Sequence, residues 1–346
     1  IHAGMLAPLW VWVRILGLPP NLLPGLWTAG GLVASVGIGM RLLDAVPRDS
    51  RLPPPTRLVG LSPLLGGFCI LAAAITWENA LFVEVYAALA ALLLGGLWAL
   101  LAGRPLVAGL AIGAAATVHP GAWALVPGLL LLGEAHRLRA WLPPVLLATL
   151  IHGVTLALLF PDWWSGGRGL AVLPPFDQSP WESLQSLWRL LAGDLGLAAA
   201  PALVALPVLG GRRLLGLLLL VLGSAMVLCR YSDNPGGLPL LWVLASLTPL
   251  SVRWLDAIED RRLRVATASM GLVLLLFGVA DATSKQDAIA RQAERRAVVR
   301  VETACPPPPT PSWAEAQLWA LSCRTQGADT APPDSAAPAP ATRPRD

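Results

Sequence analysis

The chain has 346 residues, of which 55% are hydrophobic and only 13% charged, with a formal net charge of +4. An ordinary soluble domain carries about 25% charged residues, so there is too little polar side chain here to cover a water-soluble globule. The basic surplus is spread over short segments between apolar runs, which excludes a phosphate-binding patch for nucleic acid and points to an all-α, polytopic membrane helix bundle.

Apolar runs bounded by charge, Pro or Gly predict about ten spans, at 22–43, 58–75, 81–102, 106–118, 121–132, 141–159, 195–210, 214–229, 238–252 and 265–280. A helix needs ~20 residues to cross the hydrocarbon, so the short runs on either side of His119-Pro120 are expected to be tilted, extended by their flanks or partly re-entrant. Residues 5–18, interrupted by Arg14 and closed by Pro19-Pro20, read as an interfacial helix. The 15 Trp and 33 Gly suit headgroup anchoring and close helix packing. Ile1 opens the chain with no charged segment ahead of a short apolar core, so no signal peptide is read and the chain is expected to begin within a longer protein.

Arginine sets the expected orientation. One set of alternate connections holds Arg41, Arg48, Arg51, Arg57, Arg104, Arg137, Arg139, Arg212, Arg213, Arg253, Arg261, Arg262 and Arg264, and the other, up to the last span, only Arg168, Arg189 and Arg230, with Arg14 added if the N-terminal segment lies there. The positive-inside rule puts the first set in the cytoplasm, as in a multi-pass protein of a bacterial inner (plasma) membrane. The outer connections then include 77–79, His119-Pro120, the long stretch 160–193 and 230–233. The membrane domain covers 1–282 and is followed by an extracytoplasmic segment, 283–329. In an oxidising exterior Cys305 and Cys323 either close a disulfide there or stay two unpaired thiols. Residues 330–346 have the Pro/Ala-rich composition of disorder. Cys69 and Cys229 fall within spans and read as small core residues.

Few residues in this chain can carry chemistry. Glu84 is the only charged side chain in the run 80–102, and an acidic group there is costly unless it faces a cavity or a partner or reaches the headgroups. At about 100° per residue Trp77 shares its helical face, and Glu78 and Asn79 adjoin it. His119 ends a run ahead of Pro120 and could hydrogen-bond a sugar or phosphate, or serve structurally. His152 reads as an interhelical hydrogen bonder. Arg230 closes the run 214–229 against the positive-inside trend, beside Tyr231 and Asp233, and can clamp a phosphate or simply pair with Asp233. Gly166-Gly167-Arg168-Gly169 lacks the Lys-Ser/Thr of a phosphate loop, and no metal-ligating array or nucleophile elbow is present.

The segment 76–86 (Thr-Trp-Glu-Asn-Ala-Leu-Phe-Val-Glu-Val-Tyr) precedes a long apolar helix, a Gly-rich helix ending in His119-Pro120, and Trp123 to Pro127. Together these resemble the core of the polytopic GT-C glycosyltransferases, closest to an uncharacterised branch related to the protein O-mannosyltransferases. His2-Ala3-Gly4 and Pro8-Leu9-Trp10 loosely resemble that family's His-Pro-Pro-Gly-Tyr-Pro-Leu-Tyr stretch, and the likeness covers about 1–132. It implies transfer of a sugar from a polyprenyl-phosphate-linked donor to a protein or glycan acceptor on the extracytoplasmic face. Glu84 and His119 would be the catalytic pair, with Trp77, Glu78, Tyr86, His2, Arg230 and Asp233 lining the substrate site. A divalent metal is a candidate cofactor, and membrane lipid, donor and acceptor are the expected partners, with no nucleic acid. The family's usual acidic base lies just upstream of the His-Pro-Pro-Gly stretch, so it is expected to precede Ile1. A lipid or small-solute transporter or flippase and a non-catalytic scaffold are the alternatives, because charge between apolar helices marks transport pathways equally well.

Overall fold

The computed structural model describes residues 15–16, 22–44, 57–73, 75–76, 79, 85–133, 138–159, 179–193, 196–230, 237–266 and single positions between 268 and 280. All of them lie in the first of two compact units, Ile1–Ile289. The described residues contain no strand. Their main helices are α1 (Leu22–Asp44), α2 (Arg57–Ala72), α3 (Val85–Leu101), α4 (Pro105–Val118), α5 (Ala122–Leu132), α6 (Leu138–Leu159), α7 (Pro180–Gly193), α8 (Gly196–Arg230), α9 (Gly237–Ser246) and α10 (Thr248–Ala257).

Among the described residues, three segments are long and apolar enough to cross a membrane unaided: Leu22–Asp44, Leu209–Val227 and Gly237–Ala257. The last joins α9 to α10 through a single turn at Leu247, where one span was expected. The expected runs 195–210 and 214–229 are two halves of α8. They meet at Gly210, whose φ of 67° and ψ of 156° lie where a Cβ would be strained. Shorter apolar helices, including Leu61–Leu71, Pro105–Val118 and Leu142–Thr155, fall below the usual spanning length. Their outward side chains are nevertheless apolar: Leu61, Leu64 and Phe68 on α2, Leu106 and Leu110 on α4, Leu146 and Leu150 on α6.

Central α3 packs against α1, α4, α5 and α9. Leu89, Leu93, Leu94 and Leu97 of this helix are fully buried. Lipid tails are as apolar as leucine, so such helices hold together through close packing and hydrogen bonds rather than by escaping water. Small residues at one-turn spacing make that approach possible. Gly31, Ser35 and Gly39 present one face of α1 to α9 and α10. There the ring of Trp242 lies over Gly31, and the ring of Pro249 adjoins Gly39. Ser35 Oγ and Ser246 Oγ lie 2.7 Å apart between them, and Ser246 donates its own proton to the Trp242 carbonyl, so Ser35 is the donor of the pair. Likewise Gly109 and Gly113 of α4 receive Pro144, Ala148 and Ile151 of α6.

One element departs from expectation. The connection 160–193 was read as an outer loop, yet its second half is the amphipathic α7, which buries Ser183 and Leu187 and leaves Trp181 and Leu184 exposed. Its N-terminus is a reciprocal capping box: Ser179 Oγ accepts from the Glu182 amide (3.2 Å) and Glu182 Oε2 accepts from the Ser179 amide (2.8 Å). These bonds from Ser179 hold the Glu182 carboxyl below its usual range. A depressed carboxylate pKa stabilises above the unfolded value, and that contribution disappears as pH falls through the folded one. Ser179→Ala is expected to cost α7 about 1 kcal/mol. Amide exchange in α7 should accelerate in that variant, and in the wild type on acidification below the carboxylate range. Unchanged α7 exchange in the variant would contradict the cap.

Candidate functional site at the His119 end

Helix contacts sort the polar residues to two ends. Gly39 meets Pro249 and Gly37 meets Trp98, so Arg41 (end of α1), Arg104 (after α3) and Arg253 (α10) share one end. Gly216 meets Leu132, which brings Arg212 and Arg213 to the same end. The opposite end gathers the start of α3, the end of α4, the start of α5, the far half of α6 and the last turn of α8, and it carries Tyr86, His119, Trp123 and His152.

His119 is positioned by its neighbours in sequence. Pro120 disfavours a helical conformation in the residue before it, so α4 stops and His119 turns extended (φ −151°, ψ 122°) while its amide still bonds Ala115 O at 2.9 Å. Its side chain is 1% exposed. The Gly121 amide donates to Nδ1 at 3.0 Å, so that nitrogen holds no proton and a neutral ring carries its proton on Nε2. Tyr86, from the first turn of α3, sets its ring 6.0 Å away at 59°. A side chain on Gly121 would press on the imidazole and on Val227 of α8, so these groups meet without spare room. A neutral imidazole oriented in this way can hydrogen-bond a hydroxyl or a phosphate oxygen.

Beside it, Trp123 Nε1 donates to His152 Nδ1 at 2.8 Å, with the ring planes nearly parallel (9°) and their centroids 6.0 Å apart. His152 is therefore the interhelical hydrogen bonder expected from its span, joining α5 to α6. Trp242, fully buried, donates from Nε1 to Thr76 Oγ1 at 3.2 Å across 166 positions. Buried Asn79 donates from Nδ2 to Ile75 O at 2.8 Å. Only the Trp-Glu-Asn motif hinted at Asn79, and nothing local hints at Trp242.

Of the expected site residues, the structure brings together Tyr86 and His119. Arg230 is the last residue of α8, three positions beyond Val227, so its helix end arrives at the His119 turn; its side chain lies outside the described residues. His2, Trp77, Glu78, Glu84, Asp233, Cys305 and Cys323 also lie outside the described residues. Among the described residues, no group of three His, Cys, Asp or Glu side chains could hold a metal ion. Cys69 is a buried free thiol.

The chain matches no protein-family model, no curated protein and no solved structure.

Proposed function

We propose that this chain is a multi-spanning membrane glycosyltransferase of GT-C type, which moves a sugar from a polyprenyl-phosphate donor to a protein or glycan acceptor on the extracytoplasmic face. The observation that carries the reading is the two-ended sorting of the bundle. Arg41, Arg104, Arg212, Arg213 and Arg253 gather at one end, while His119, Tyr86 and the Trp123–His152 pair gather at the other, between helices whose outward faces are apolar. On the positive-inside rule the arginine end is cytoplasmic and the His119 end faces out, and the tail after 282 is extracytoplasmic. The apolar outward faces of α2, α4 and α6 support counting the shorter helices among about ten spans.

In such a transfer the bond between the sugar C1 and the phosphate oxygen breaks as the acceptor oxygen bonds to C1. A carboxylate takes the acceptor's proton, and cationic or hydrogen-bonding groups stabilise the departing lipid phosphate. Glu84, which directly precedes Val85 at the start of α3, is assigned to the wall of the reaction chamber, Arg230 to the phosphate and His119 to the hydrogen bond with donor or acceptor. Trp77, Glu78, Asp233 and His2 complete the substrate site. In proteoliposomes holding the full chain and polyprenyl-phosphate mannose, release or transfer of labelled sugar is expected. Glu84→Gln should lower turnover about 10²-fold or more with the fold intact, and Arg230→Ala should weaken donor binding by about 1.5–3 kcal/mol. Turnover unaffected by both substitutions would overturn the assignment.

A further inference from the structure

We infer that Trp27 and Asn79 form a subsite for a hydroxyl-bearing group of the saccharide class, in the part of the bundle around the Trp242 indole. Two buried polar atoms carry the inference. Asn79 is 7% exposed and commits Nδ2 to the Ile75 carbonyl, which turns Oδ1, on the other arm of the planar amide, away from that backbone; Oδ1 is buried with no donor among the described residues. Trp27 Nε1 is buried with no acceptor among the described residues. A buried polar atom left unsatisfied destabilises a protein, and native structures seldom keep one without a reason.

Both stand within four positions of a contact of the Trp242 indole. Trp27 stands four residues before Gly31, hence on the same face of α1, and Gly31 is the residue over which the Trp242 ring lies. Asn79 stands three residues after Thr76, which accepts the Trp242 Nε1 proton. The unfilled donor and the unfilled acceptor therefore each lie one helical turn from a group that touches the same indole. A hydroxyl-rich group suits both, on one hydroxyl or on two, since a hydroxyl oxygen accepts a proton as Trp27 requires and donates one as Asn79 requires. Neither atom offers a full charge, so the subsite suits the neutral, hydroxyl-rich part of a ligand and not its phosphate. The identity of the hydroxyl carrier rests on the glycosyltransferase reading; the location rests on the two atoms alone.

The test measures binding to the purified full chain by thermal shift with three probes: polyprenyl-phosphate mannose, the same polyprenyl phosphate without sugar, and methyl mannoside. Asn79→Leu removes the acceptor, and Trp27→Phe removes only the indole N–H while keeping an aromatic ring for packing. The sugar-loaded lipid is expected to bind Asn79→Leu about tenfold more weakly than wild type, and Trp27→Phe several-fold more weakly, the scale of a lost neutral hydrogen bond. The sugar-free lipid should bind all three proteins equally. Equal affinity of the sugar-loaded lipid for wild type and both variants would overturn the subsite, leaving water as its occupant, without touching the glycosyltransferase reading. Methyl mannoside binding that depends on Asn79, with no response to either lipid, would uphold the subsite and overturn the lipid-phosphate donor. No binding of any probe to wild type would overturn both.

Discussion

Replacing Gly31 with Ala is expected to destabilise the bundle by about 3 kcal/mol, at the upper end of what overpacking usually costs. A Cβ on Gly31 would overlap the six-membered ring of Trp242. That ring is fully buried and cannot swing aside, because its Nε1 is bonded to Thr76 and Ser246 and Ser35 are bonded together against its own carbonyl. Either α1 moves off α9 or the indole leaves Thr76, and each route exposes a polar group that lipid cannot satisfy. Equilibrium unfolding of the purified protein in mixed detergent measures the loss. Trp242→Leu in the same chain should recover much of it, with a coupling of at least ~1 kcal/mol between the two sites. A Gly31→Ala variant as stable as wild type would show that α1 does not approach Trp242 in this way.

A second large effect is expected at the α5–α8 contact. A Cβ on Gly223 would overlap the carbonyl oxygen of Ala124, and one on Gly128 would meet Gly216 O and the Leu220 amide at 2.7 Å, so backbone faces backbone along this seam. Backbone cannot rotate out of the way as a side chain can, so Gly223→Ala should force the helices apart and cost about 3 kcal/mol. The displacement also has a functional consequence. Val227, one turn further along α8, abuts the Gly121 turn that holds the His119 ring, and Arg230 ends the same helix. Donor binding should therefore fall in Gly223→Ala, whereas Gly210→Ala, at the junction of the two halves of the same helix, is expected to lower stability through its positive φ with a smaller effect on binding. Donor affinity unchanged in Gly223→Ala, measured on folded protein, would separate α8 from the site.

How much of this could be read from the sequence depended on the range of each interaction. The bounds of α1 follow from strictly local chemistry, Pro20 ahead of the run and Arg41 to Asp44 behind it, and the expected 22–43 agrees with the observed Leu22–Asp44. The extended conformation of His119 is equally local, being imposed by Pro120. α7 escaped notice because its polar face lowers average hydropathy to that of a loop, although the Ser179-to-Glu182 spacing of a capping box was present. The break in α8 was legible as a charge-bearing gap at Arg212 and Arg213, but not that Gly210 carries the chain through without a loop.

Pairings were the illegible part. Ser35 and Ser246 are 211 positions apart, and Thr76 and Trp242 are 166 apart. A periodic pattern shows that each residue faces a neighbour without saying which one. The same limit hid the Trp27 and Asn79 atoms, since an unfilled hydrogen bond is a property of the surroundings and not of the residue.

Transfer on the extracytoplasmic face depends on which face of the bilayer the His119 end occupies. With the native cysteines replaced, single cysteines at two exposed positions, Ser179 ahead of α7 and Glu259 after α10, decide it by labelling with an impermeant maleimide in intact cells. Ser179→Cys is expected to label in intact cells and Glu259→Cys to label only after permeabilisation. Glu259→Cys labelling in intact cells while Ser179→Cys stays protected would place the arginine end outside and contradict the proposed extracytoplasmic site.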